Sequence, residues 1–100
     1  MSNLTAINQA IKNRSVITFQ YKGGLRKVEP FLTGVHRDTG NDTLRAWFVS
    51  GVSKSGQYNT WKMYTIDQMS NIQITTETFS GFRHGYDPDD DHMSSVYAHV

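Results

Sequence analysis

The chain has 100 residues, of which 37% are hydrophobic, 19% charged and 12% aromatic, with no cysteine and a formal net charge of +1. That length suits one domain with one core, and the mixture excludes a disordered, collagen-like or disulfide-stapled chain. No run approaches the ~18 apolar residues of a membrane span, and Met1-Ser2-Asn3-Leu4-Thr5 lacks the basic and apolar regions of an export signal, so a cytoplasmic location is expected.

Charge is uneven along the chain. Residues 1–83 carry all ten Lys and Arg against five acids, a net +5, whereas residues 84–100 carry four acids and no Lys or Arg, a net −4. A basic body with an acidic end suits a surface that faces a polyanion.

The first predicted element is a helix over residues 1–14. Ser2 or Asn3 can cap it, and Leu4, Ile7 and Ile11 recur on one face beside Ala6 and Ala10. The period then changes. Val16 to Tyr21 is β-branched and aromatic, Lys22-Gly23-Gly24 supplies a turn, and Leu25 to Glu29 returns as a second strand. Pro30 has no backbone donor, which puts it at an edge or a strand end, and Phe31 to Val35 extends this strand or begins another. A polar loop from His36 to Asp42 precedes the clearest strand, Leu44 to Val52, where Leu44, Ala46 and Phe48 oppose Arg45, Trp47 and Val49. After a Gly/Ser/Asn loop, Trp61 to Ile66 forms a strand. Asp67 to Ser70 turns, and Asn71 to Thr76 is a strand with Ile72 and Ile74 on one face.

The end of the chain reads as a short helix. Asp87 suits the N-cap, Pro88 the first turn, and Asp89, Asp90 and Asp91 the positive end of the dipole. Met93, Val96, Tyr97 and Val100 follow at helical spacing. About five short strands without long crossovers predict a small antiparallel barrel (residues 15–76) between the first helix and a C-terminal arm and helix (77–100).

Most catalytic and metal chemistries find no support. Asp87 to His92 resembles the opening of a calcium loop but has His92 where the turn requires glycine and Ala98 where a glutamate ligand belongs. His36, His84, His92 and His99 are not spaced as zinc ligands. No nucleophile elbow or phosphate-cradling glycine loop is present. No cofactor is expected, and the chain reads as non-enzymatic. The suggestive set is basic and aromatic: Arg26, Lys27, Arg45, Trp47, Lys54, Trp61, Lys62, Tyr64 and Arg83. Arginine forks hold phosphate or carboxylate, and aromatic rings offer stacking faces. Arg45 stands out, because a charge inside an apolar strand is costly to bury without a partner.

Four segments in order resemble a WYL domain, a bacterial regulatory module. Ala10 to Tyr21 is similar to the family's opening A-I-x-x-x-x-x-I-x-F-x-Y. Arg26-Lys27-Val28-Glu29-Pro30-Phe31 is similar to R-x-V-x-P-Y, and Trp47-Phe48-Val49 stands where the Trp-Tyr-Leu run would be. Lys62 to Met69 aligns with R-x-F-R-L-D-R-I, keeping one positive charge at Lys62 and replacing two with Thr65 and Gln68. The resemblance implies an Sm-like or SH3-like barrel that regulates transcription by binding an anionic ligand. On that basis Arg26, Arg45, Trp47, Lys54, Lys62, Tyr64 and Arg83 are expected to meet single-stranded nucleic acid or a nucleotide-like small molecule on a barrel face. The two missing arginines favour a smaller ligand or a protein partner. The alternative is a protein-interaction module, either a homo-oligomer or a partner of a regulatory protein, with no nucleic-acid ligand. A narrower expectation is that the acids opening the last helix cover the basic face and compete with a polyanion.

Overall fold

The computed structural model describes residues 2–52, 56 and 58–100. A helix, α1 (Asn3–Asn13), precedes β1 (Ser15–Tyr21), β2 (Gly24–His36), β3 (Asp42–Gly51), β4 (Thr60–Thr65), β5 (Met69–Thr78) and β6 (Met93–His99). A 3₁₀ turn, Ile66–Gln68, joins β4 to β5. Ser2 caps α1 by accepting the Thr5 N–H at 3.1 Å. Arg14 ends the helix in the left-handed region, its N–H returning to the Ala10 and Ile11 carbonyls. Among the described residues no helix is long and apolar enough to cross a membrane.

Strands β1 and β2 form a tight hairpin in which Tyr21 pairs with Gly24. Both intervening residues, Lys22 (φ 49°) and Gly23 (φ 79°), take positive φ, as a two-residue turn matched to strand twist requires. β2 is unusually long and changes neighbour along one side. β1 pairs with it as far as Val28, and β6 begins at Leu32. Pro30 falls in that break, where a residue without a backbone donor is best tolerated, and it is fully buried.

The inner face of the sheet packs on α1. Ile17, Phe19 and Tyr21 of β1, Val28 of β2, Leu44, Ala46 and Phe48 of β3, and Tyr64 of β4 enclose Ile7, Ala10 and Ile11 of the helix. Phe19, Tyr21 and Tyr64 meet edge-on, with centroids 5.0–6.2 Å apart. A fully buried side chain of this size contributes roughly 2–3 kcal/mol.

Two expectations are corrected. The sheet does not close into a barrel: its order is β4-β3-β2-β1-β5 with β6 beside β2, and β4 and β5 do not pair. Side chains take up polar groups at that gap. Tyr21 Oη accepts the Thr65 N–H at 3.1 Å, and the Asn3 side-chain amide donates to the Ile66 and Met69 carbonyls. The expected C-terminal helix is the strand β6. Its Val and Tyr suit a strand, and the otherwise unpaired side of Leu32 to His36 takes it up, so tertiary pairing overrides the helical spacing. The acids before it shape turns: Asp87 Oδ1 accepts the Asp89 N–H and Asp90 Oδ1 the His92 N–H.

Candidate ligand cleft

The outer face of the sheet carries Glu29, Trp47 and Trp61, aligned across β2, β3 and β4. An arm between β5 and β6, Phe79 to His92, lies over it. Phe79 N–H donates to the Arg14 carbonyl, and Arg14 reaches back to the Gly81 carbonyl at 2.9 Å. Phe31, 1% exposed, touches the rings of Trp61, Phe79 and Tyr86. Trp61 Nε1–H donates to the His84 carbonyl at 2.8 Å. The close approach is made at Gly85, where a Cβ would stand 3.3 Å from that nitrogen.

Two charge pairs pin the arm. Arg83 spans Glu29 with both Nε and Nη2 at 2.8 Å, and its guanidinium lies 5.2 Å above the Trp47 ring. The hydrogen bond to Glu29 raises the Arg83 pKa. Arg45 Nε donates to Asp90 Oδ2 at 2.8 Å, and Asp90 is only 8% exposed. Burial works against the Asp90 charge, but hydrogen bonds from Arg45 and His92 outweigh it and hold the carboxyl below its usual range. Of the acids expected to open a helix over a basic face, Asp90 lies in a turn and pairs with Arg45.

The basic and aromatic residues expected to share one face are divided between two. Arg45 and Trp47 pair with Met63 and Trp61 on the outer face, whereas Lys62 and Tyr64 pair with Ala46 and Leu44 on the inner face. Tyr64 is core, and burial pushes its hydroxyl up to about 12. Lys62 Nζ lies 5.9 Å from the Phe48 ring centroid. Arg26, 6% exposed, donates to the Tyr21 carbonyl at 3.0 Å and stands over the Tyr21 ring. Arg83 and Arg45 are each held by a carboxylate. Lys54 lies outside the described residues. The expected nucleic-acid or nucleotide face on a closed barrel therefore does not exist, and the arginines on the outer face are already neutralised.

What the arm builds instead is a cleft of about 270 Å³ lined by Arg45, Trp61, Gly85, Tyr86 and the run Asp87, Asp90, Asp91 and His92. Trp61 and Tyr86 stack within it at 5.9 Å and 26°. Burial raises the Tyr86 hydroxyl, which donates to the Val100 carbonyl at 3.1 Å. With Arg45 and Asp90 cancelling, Asp87 and Asp91 give the cleft an acidic character. Oxygens of Asp90 and Asp91 and a nitrogen of His92 lie within 4.8 Å of one another. Asp90 is already engaged by Arg45 and His92, so this trio is a protein-satisfied network.

Comparison with protein-family models, curated proteins and solved structures gave no match. The resemblance to WYL domains is one of the four sequence segments alone. The expected set contained Arg45 and omitted Tyr86, Asp87, Asp90 and His92. One signal pointed to them: a run of acids in an otherwise basic chain that also has a lone arginine in the middle of an apolar strand.

Proposed function

We propose that this protein is a binding module for a small organic cation, an ammonium or guanidinium group on a short carbon frame. The observation that carries this reading is a cleft lined both by the stacked Trp61 and Tyr86 rings and by Asp87 and Asp91. These rings, stacked on each other, with Tyr86 also stacked on Phe82, give the ligand's carbon frame an apolar wall, and the carboxylates supply the counter-charge to its cationic group. The volume supports a ligand of amino-acid size, since pockets for larger ligands run from roughly 300 Å³ upward. Arg45 at the back of the cleft leaves Asp90 too well satisfied to draw a metal ion, and favours a ligand that brings its own donors to the outer carboxylates.

The test is an amide and indole NMR titration with putrescine and arginine as cationic probes and with inorganic phosphate as the anionic control. The cationic probes are expected to shift the Trp61 indole N–H and the Tyr86 and Asp87 amides. The shifts weaken as salt rises and lose about tenfold in affinity in Asp87→Asn/Asp91→Asn. Equal response to phosphate, or no response of these groups to either cation, overturns the reading.

A further inference from the structure

We propose that His92 is a proton-operated gate on the cleft, leaving it open to cations while its ring is neutral and weakening their binding once the ring takes a proton. This inference rests on the cation reading and adds a regulation to it.

The gate is built around one ring nitrogen. His92 Nδ1 stands 3.3 Å from Arg45 Nη2, 3.3 Å from Asp90 Oδ1 and 3.4 Å from Asp91 Oδ1. These contacts exclude one another. A guanidinium only donates, so the Arg45 contact needs a bare nitrogen. An ionised carboxylate only accepts, so the aspartate contacts need a proton on it. With Nδ1 bare, the ring competes with Asp90 for Arg45 Nη2, which lies 3.4 Å from Asp90 Oδ1. With the proton in place, the ring serves the carboxylates. The His92 side chain is 55% exposed, so solvent reaches it without unfolding. The backbone stays held in either state: its N–H donates to Asp90 Oδ1 at 3.0 Å, and its carbonyl accepts the Arg37 N–H at 2.8 Å.

Charge gives the sign. The cleft is lined by the carboxylates of Asp87, Asp90 and Asp91 against the one guanidinium of Arg45. An imidazolium adds a second cation, and it sits beside Asp91, one of the two acids outside the Arg45–Asp90 pair. From the end of β2, the His36 ring faces His92 with centroids 6.4 Å apart, and its Nδ1 accepts the Asp38 N–H at 3.2 Å. Arg37 Nη1 donates to the Asp91 carbonyl at 2.9 Å. Arginines keep their charge throughout, and carboxylates keep theirs down to about pH 5. Of these groups only the two histidines change charge between about pH 8 and about pH 5.5. His92 is the one in contact with the cleft acids.

The experiment is an NMR titration with putrescine, read at the Trp61 indole, at about pH 8 and about pH 5.5, across which the probe keeps both charges. It compares wild type, His92→Gln, His92→Lys and His36→Gln, each checked for fold by circular dichroism. Glutamine holds position 92 neutral and lysine holds it charged at both pH values. Wild type is expected to bind about fivefold more weakly at the lower pH, the effect of one added charge a few ångströms from the ligand near solvent. The ratio between the two pH values should fall to about one in both position-92 variants, with His92→Lys about fivefold weaker than His92→Gln. His36→Gln should keep the wild-type ratio. No putrescine response of wild type at the higher pH overturns the cation reading and the gate with it. Binding that does not weaken at the lower pH, or that weakens as much in folded His92→Gln, overturns the gate and leaves the cation reading standing. So does a pH dependence lost in folded His36→Gln, which would assign the effect to His36.

Discussion

Arg45 and Asp90 lie 45 positions apart in the chain and meet at 2.8 Å, so that an arginine in the middle of β3 finds its counter-ion on the arm that precedes β6. Asp90 is buried, and Arg45 keeps only 18% of its side-chain exposure. The pair fastens the arm over Trp61 and forms the back of the cleft.

Removing one member leaves the other charge desolvated without its partner. Arg45→Ala is expected to cost about 3 kcal/mol of stability, near the lower end for a broken buried pair. Asp90→Asn should cost less, because an asparagine can still accept the His92 N–H. Urea denaturation of both single variants and the double variant measures this. A double variant that loses less than the sum of the singles marks direct coupling between the two side chains.

Acid should act through the same carboxyl. The folded pKa of Asp90 lies below its ordinary value of 3.8, so the unfolded chain binds the proton more readily. The contribution is complete above the unfolded value and is lost as pH falls through the lowered folded value. A urea series from about pH 6 to about pH 2 is expected to show wild-type stability falling more steeply than that of Asp90→Asn across that acidic window.

Gly34 offers a test of the β2–β6 junction. It pairs with Val96, and a Cβ added there runs into the Ser95 carbonyl oxygen. Gly34→Ala is expected to cost about 2 kcal/mol, as overpacking against backbone does. Amide hydrogen exchange at Ser95 and Val96 should accelerate, while the β1–β2 hairpin amides keep their protection.

Local chemistry made much of the order of elements legible. The spacing of Ile7 and Ile11, the cap at Ser2, the β-branched run after Arg14 and the glycine turn before Leu25 each act over a few residues. The alternation in β3 likewise separated Leu44, Ala46 and Phe48 from Arg45 and Trp47, and the fold buries the first three in the core. The last element was misread because Met93, Val96, Tyr97 and Val100 satisfy a helical period equally well. The deciding fact is remote: β2 outruns β1 and leaves one side of Leu32 to His36 needing a partner.

The site was less legible for the same reason. Composition disclosed a basic body and an acidic end, and Arg45 stood out as a charge that needed a partner. Nothing local told that Arg45 and Lys62 would face opposite ways, since that depends on the β3–β4 register. Nor did it tell that Tyr21 and Asn3 would satisfy the polar groups between β4 and β5 and leave the sheet open. The sequence by itself determined the first helix and the strands up to β5, the core face of β3 and the charge imbalance, because these follow from nearest-neighbour chemistry. Only the tertiary structure decided which charges meet, which edge stays free and which sign the cleft carries, because long-range pairing sets all three.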